Sequence, residues 1–160
     1  MARKSIFALL LVALMLMGLT QPAAAKSYDA ERFDVWIDIQ ADGSYIITES
    51  VVFNFSGGPF TYAFREIQWN EVDELGFLDA SMDGMPLAVG TQANQVEVVS
   101  GNPLSIKWHF EPLNDVSRTF TLRYRAVGNL RPTGEVDTLY WKAIPDEHEY
   151  DIRAVQVRVT

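Results

Sequence analysis

Three observations predict an all-β fold for this sequence. Beyond residue 26, apolar and polar residues alternate almost throughout, turn-forming residues recur at short intervals, and no segment keeps a helical period. Alternation with a period of two places one face of each strand inward and the other in solvent. About nine or ten short strands separated by regular turns indicate an antiparallel two-layer β-sandwich of immunoglobulin-like character.

The individual strands follow from this alternation and from the turns between them. Asp42-Gly43 and Asp83-Gly84 each predict a tight hairpin, because glycine tolerates a positive φ. Residues 128–137 are predicted to be a loop, and residues 146–151 an acidic turn. The predicted strands are, in order, residues 33–40, Tyr45–Phe55, Phe60–Trp69, Leu78–Met82, Met85–Val89, Asn94–Val99, Leu104–Phe110, Thr119–Ala126, Leu139–Ile144 and Val155–Thr160.

The first 25 residues have the order of a secretory signal peptide. Arg3 and Lys4 form a basic start, Ile6–Leu19 is a largely apolar run of 14 residues, and three alanines end at Ala25. The run is shorter than the roughly 20 residues of a membrane-spanning helix. We therefore expect cleavage after Ala25, which leaves residues 26–160 as one extracytoplasmic domain, secreted or held at a membrane.

Composition excludes several classes of function. The chain has a net charge of −8, and the leader holds two basic and no acidic residues, so residues 26–160 carry −10. This balance argues against binding to nucleic acid and against adhesion to an anionic bilayer by charge alone. The absence of cysteine excludes disulfides, thiolate zinc sites and attachment of lipid to a cysteine. No cofactor is predicted.

Four residues are candidates for contact with a partner. Lys107, Arg123 and Arg125 lie at outward positions of predicted strands, and if the strands are neighbours they form a basic stripe, to which Arg158 could be added. Such a stripe could bind an anionic glycan, lipid headgroups or an acidic protein, although pairing with acidic neighbours on the sheet is the alternative. Trp36 also has outward parity and could stack on a sugar ring or pack at the edge of the sheet.

The acidic residues predict no catalytic or metal site. Glu49 and Glu66 could be imagined as a glycosidase pair, but Glu49 has the inward parity of its strand and would need a charged partner. Arg65 is the partner that we expect. The carboxylates and the histidine of residues 146–151 could suit calcium or zinc, but they match no known calcium loop and are interpreted as a solvated turn.

Several short motifs follow one another in a fixed order between residues 28 and 160. They are Asp42-Gly43-Ser44, Thr48-Glu49, the run from Phe55 to Gly58, Phe64-Arg65-Glu66-Ile67, Ile106-Lys107-Trp108-His109-Phe110, Thr119-Phe120-Thr121-Leu122-Arg123-Tyr124, Leu139-Tyr140-Trp141-Lys142-Ala143-Ile144 and Val155–Val159. Through these motifs the chain resembles the amino-terminal extracytoplasmic domain of the predicted membrane proteins grouped as domain of unknown function 2207. The resemblance implies a signal peptide, an extracytoplasmic β domain, transmembrane helices and a cytoplasmic tail, and it implies no activity.

The function that these features predict is interaction without catalysis. We expect the interaction or sensory ectodomain of a membrane-anchored protein of the bacterial envelope, whose natural chain continues into a membrane segment. Its partner would be an envelope protein or polymer, recognised through an exposed sheet face or an edge strand. The alternative is a secreted carbohydrate-binding module, and a hydrolase is a more remote third possibility.

Overall fold

The computed structural model describes residues 25–70, 72–128, 130–132, 137–145 and 148–160. Residues 1–24 of the predicted leader lie outside these ranges. The described chain is all-β and contains twelve strands. They are β1 (Ser27–Ile39), β2 (Tyr45–Ser56), β3 (Phe60–Ile67), β4 (Glu74–Met82), β5 (Met85–Pro86), β6 (Ala88–Val89), β7 (Gln95–Val99), β8 (Leu104–Leu113), β9 (Val116–Val127), β10 (Leu130–Pro132), β11 (Asp137–Leu139) and β12 (Val155–Val159).

Two sheets face each other across one core. The larger sheet has the strand order β12-β1-β2-β9-β4-β5 and the smaller sheet has the order β3-β8-β7-β6, while β10 and β11 form a separate hairpin. Phe120 of the larger sheet packs against Trp108 and Phe110 of the smaller one, with ring centroids 5.6 Å apart in both pairs. The core is therefore built between the inner faces of the two sheets.

The alternation in the sequence corresponds to burial in the structure. In β2, the residues from Tyr45 to Phe55 at every second position are buried, and those between them are half-buried. The inward residues Phe33, Val35 and Ile37 of β1 are buried as well. Each buried side chain of this size stabilises the fold by roughly 1.5–3 kcal/mol, so burial alone accounts for the choice of inner face.

Both predicted hairpin turns are confirmed. β1 pairs antiparallel with β2 through the turn that contains Gly43, which has a φ of 80°. The Asp42 carboxylate accepts hydrogen bonds from the Ser44 backbone N–H at 3.0 Å and from its hydroxyl at 2.6 Å. These bonds lower the pKa of Asp42 below its ordinary value. β4 and β5 are joined at Asp83 and Gly84, which have φ values of 51° and 78°.

Two pairings depart from the predicted antiparallel arrangement, and the immunoglobulin-like character stays a prediction. β12 is parallel to β1, and β6 is parallel to β7. A strand with one buried face has the same alternation in either direction, so the pattern cannot determine the direction of pairing.

Several strand boundaries also differ from the prediction. The segment Met85–Val89 divides, because Met85–Pro86 pairs with β4 and Ala88–Val89 pairs with β7 of the other sheet. The predicted loop 128–137 contains β10 and the start of β11. Of the predicted strand Leu139–Ile144, only Leu139 is in a strand; Trp141 instead packs its ring on Tyr45 and Tyr124.

Candidate functional site

The predicted ion pair between Glu49 and Arg65 is confirmed, and it lies between the sheets. Arg65 Nε donates to Glu49 Oε2 at 2.7 Å and Arg65 Nη2 donates to Glu49 Oε1 at 3.0 Å. The Tyr124 hydroxyl donates to the same Oε1 at 2.7 Å. Because Glu49 is only 2% exposed, these three bonds supply the partners that a buried carboxylate requires.

Each charge in this cluster is stabilised by its partner, as in a structural ion pair. Burial alone would lower the pKa of Arg65, but the charge of Glu49 and the hydrogen bonds to it raise that pKa above its ordinary value. Burial and the Glu49 charge both raise the pKa of Tyr124 well above 10.0. The cavity beside the pair measures about 20 Å³, which is room for about one water molecule and not for a substrate.

Glu49 and Glu66 do not form the pair of carboxylates that a glycosidase uses. Glu66 is exposed and pairs with Ser105 on the outer face of the smaller sheet. Glu49 points inward from the larger sheet and is bound by Arg65. The two carboxylates therefore lie on opposite faces of the smaller sheet.

The prediction that Lys107, Arg123 and Arg125 form one basic stripe is wrong, because they do not share a surface. Arg123 and Arg125 lie on β9 of the larger sheet, whereas Lys107 lies on β8, which pairs with β3 and β7 of the smaller sheet. The stripe fails because strands that are consecutive in the sequence belong to different layers. The two arginines also have acidic partners: Arg123 Nη1 lies 2.7 Å from Asp79, and Arg125 Nη2 lies 2.6 Å from Asp42.

Trp36 lines an open depression on the outer face of the larger sheet. The depression has a volume of about 380 Å³ and is lined by Trp36, Asp38, Thr48, Arg158 and Thr160. The indole is half-buried, and it lies between Thr48 of β2 and Arg158 of β12 in one cross-strand row. Arg158 has no ion pair within the described chain. An aromatic ring, a cation, a carboxylate and two hydroxyls thus surround one concavity.

Lys107 belongs to a second surface, the aromatic patch, which we define as Tyr62, Phe64 and Lys107. Tyr62 and Phe64 are 50% and 59% exposed on the outer face of β3, with ring centroids 6.5 Å apart. Lys107 lies opposite Phe64, and its Nζ is 4.5 Å from the centre of the Tyr62 ring. Beside the patch, His109 Nε2 contacts Glu97 at 3.0 Å. Aromatic side chains and a cation thus share one solvent-facing surface.

Sequence reasoning missed the two aromatic residues of this patch. They lie in the predicted strand Phe60–Trp69, where apolar residues occupy both odd and even positions. The alternation therefore could not show which side of this strand faces solvent. The alternation in β8 could have identified them. Lys107 and His109 are at outward positions of β8, and Phe64 and Tyr62 pair with these two residues, so they share the outer face.

The acidic turn can be described only in part. Asp146 and Glu147 lie outside the described residues, so the prediction of a solvated turn is not tested there. His148 Nδ1 lies 2.6 Å from the Tyr150 carbonyl oxygen. Within the described ranges, no group of three or more acidic, histidine or cysteine side chains is arranged to hold a metal ion.

Solved structures match the chain only weakly and at low sequence identity. Yeast LTA4 hydrolase matches with a TM-score of 0.46 and 7% identity over 68% of this chain and 16% of its own. An M1 zinc metallopeptidase from Deinococcus radiodurans matches with a TM-score of 0.41 and 13% identity over 71% and 24%. A putative protease from Parabacteroides distasonis matches with a TM-score of 0.38 and 13% identity over 64% of this chain and 24% of its own. The chain spans a quarter or less of these proteins, and likenesses this weak carry no argument about its activity.

The family match is extensive. No curated protein matches the chain, and the described part of it contains no helix that is long and apolar enough to cross a bilayer. Residues 29–160, nearly all of the β domain, match the family described as predicted membrane protein (DUF2207) N-terminal domain. The chain therefore belongs to this family of predicted membrane proteins and contains its N-terminal domain.

Proposed function

We propose that the domain is a noncatalytic, extracytoplasmic interaction module of a membrane-anchored envelope protein, and that it binds a partner protein through the aromatic patch. The family is one of predicted membrane proteins, and the order of residues in the leader supports export. The observation that carries the proposal is the exposure of two neighbouring aromatic side chains, Tyr62 and Phe64, on one sheet face.

The chemistry of the patch suits a protein partner. Aromatic residues are enriched in the cores of protein interfaces, where they bury large areas for little loss of side-chain entropy. Neighbouring exposed apolar side chains on one surface are a feature of interaction sites. β3 is also the edge strand of its sheet, so a partner can approach the patch from the open side.

Lys107 makes the patch favour a partner surface that carries a negative charge. Its ammonium lies over the Tyr62 ring, an arrangement worth about 0.5–1 kcal/mol at an exposed site. The ammonium is in no ion pair within the described chain, and Glu97, its cross-strand neighbour, contacts His109. The partner surface that fits is apolar with a carboxylate at its rim, where charge mainly directs the approach and orientation.

The buried cluster supports the noncatalytic part of the proposal. A general acid or base must reach its substrate, but the carboxylate of Glu49 is enclosed and bound by Arg65 and Tyr124. This cluster stabilises the contact between the sheets instead of serving a reaction.

The test is site-specific photo-crosslinking in the cells that make the protein. A photoreactive phenylalanine derivative replaces Phe64 in one variant and Met85 in the control, because Met85 is also apolar and exposed but lies on β5 of the other sheet. We expect a discrete protein adduct from position 64 and none from position 85. The same adducts from both positions, or none from position 64, would contradict the proposal.

A second candidate function, carbohydrate binding, is supported by the depression at Trp36. Its volume of about 380 Å³ falls in the range of small-ligand sites, and a sugar ring could lie on the indole while Asp38, Thr48 and Arg158 bind its hydroxyls.

Retention on insoluble envelope polysaccharide separates the two candidates. If the depression binds sugar, Trp36→Ala abolishes retention, and the matched variant Phe64→Ala retains the wild-type level. If retention is absent in the wild type, or is lost equally in both variants, the carbohydrate function is wrong.

A further inference from the structure

Among the residues that the structure describes, no strand pairs with the outer backbone edge of β12. The Phe33 N–H donates to the Ala154 carbonyl at 2.9 Å, and Thr160 both donates to Ile37 and accepts from Ile39, at 2.9 and 2.8 Å. In a parallel pair, alternate residues form the bonds to a given neighbour. The N–H and C=O groups of Val155, Val157 and Val159 therefore point away from β1, and β12 is the last strand of its sheet.

The side chains of the same three valines are uncovered as well. Val155, Val157 and Val159 are 50%, 47% and 52% exposed, although their register partners on β1 are buried. The smaller sheet lies over β1 and β2, since Phe60 packs on Tyr28 and Phe55. It leaves the inner side of β12 open. This edge strand is rich in β-branched residues, carries one charge (Arg158) and has no lysine or proline, so it is a template for pairing with another strand.

We propose that β12 pairs with β12 of a second copy of this chain, antiparallel about a two-fold axis at Val157. This arrangement places Val157 opposite its own copy and Val155 opposite Val159 of the second copy. All three residues then occupy hydrogen-bonded positions, in which each pair exchanges both backbone bonds. The six valines form one apolar stripe on the inner side of a continuous sheet.

Two further observations favour a second copy as the occupant. The same register sets Arg158 opposite Gln156 of the second copy, so no like charges face each other directly. The smaller sheet leaves the side chains of Val155, Val157 and Val159 about half exposed, so it does not block the approach of a second strand to β12. An isologous contact of this kind is the commonest symmetry of soluble homodimers.

The pairing would also complete the depression at Trp36. Arg158 and Thr160 form the β12 side of that depression, which ends at the free edge in a single copy. In the dimer, Gln156 of the second copy lies beside Arg158 on the outer face. The wall of the depression would then contain residues of both copies.

Single-cysteine variants test the pairing, because the chain has no cysteine of its own. Val157→Cys places two thiols across the two-fold axis, where Cα atoms about 5.5 Å apart suit a disulfide or a short bis-maleimide. Val99→Cys is the matched control, since Val99 is an equally exposed valine on β7. We expect Val157→Cys alone to shift to twice the monomer mass.

The other outcomes contradict the proposal. A Val157→Cys chain that is labelled by a maleimide but not crosslinked has a free edge. One that resists both reagents while folded has its edge covered by something other than a second copy. Equal crosslinking of both variants reports random collision. As an independent measurement, Val157→Lys should halve the mass seen by light scattering, and an unchanged mass would also overturn the pairing.

Discussion

Arg65→Met is the substitution that most severely tests the structural role of the buried pair. Methionine keeps the length that packs beside Phe33, whose ring centre lies 6.0 Å from the guanidinium carbon. It removes both hydrogen bonds of Arg65 to Glu49, whose carboxylate is 2% exposed and keeps only the bond from Tyr124. Breaking a buried pair in this way costs about 3–5 kcal/mol. At about 3 °C per kcal/mol for a domain of this size, the melting temperature falls by roughly 10–15 °C.

The assay is thermal and urea unfolding followed by circular dichroism, with the slope against urea used to verify two-state behaviour. Adding Glu49→Gln to Arg65→Met removes the stranded charge and keeps an oxygen for Tyr124, so roughly half of the lost stability should return. Arg123→Met, which breaks an exposed pair, should cost less than about 1 kcal/mol. If Arg65→Met costs no more than Arg123→Met, the pair is not a buried structural element.

Three further changes probe the turns and one strand. The hydrogen bonds of its turn lower the pKa of Asp42 below the ordinary value of 3.8. The ionised carboxylate therefore stabilises the folded state fully at a pH above 3.8, and this stabilisation is lost as the pH falls through the lower pKa of the folded state. The melting temperature of Asp42→Asn should thus lie below the wild type near neutral pH and converge with it in acid; a constant difference would contradict this. Gly58→Ala should cost about 1–3 kcal/mol in urea unfolding, since Gly58 has a φ of 148° and its Cβ would lie 2.8 Å from the Leu113 carbonyl oxygen. Gly76→Ala, whose Cβ meets nothing within 4 Å, should change stability by less than about 0.5 kcal/mol; a loss equal to that of Gly58→Ala would refute the steric reasoning.

The strands and the buried pair could be predicted because both depend on local alternation. The parity that placed Glu49 with Val51 and Phe53 also placed its carboxylate inside the sandwich, where Arg65 is within reach. The inward position of Trp108 follows from the same rule, and the residue is buried.

The sequence could not provide the arrangement of the strands between layers. Lys107 and Arg123 have the same outward parity on successive long strands, yet β8 and β9 belong to opposite sheets. Alternation is a property of one strand, whereas the choice of sheet depends on the closure of the whole sandwich. The exposure of Tyr62 and Phe64 arises at the same level, because it depends on which face of β3 the other sheet covers.

The proposed function requires that the aromatic patch faces the outside of the cell membrane and that a partner covers it there. The most direct measurement is labelling of Phe64→Cys and Met85→Cys in intact cells with a charged maleimide that does not cross the cytoplasmic membrane. We expect the cysteine of Met85→Cys to be labelled in cells, and the cysteine of Phe64→Cys to be protected in cells and labelled after purification. Equal labelling of both positions in cells, or labelling of neither, would contradict it.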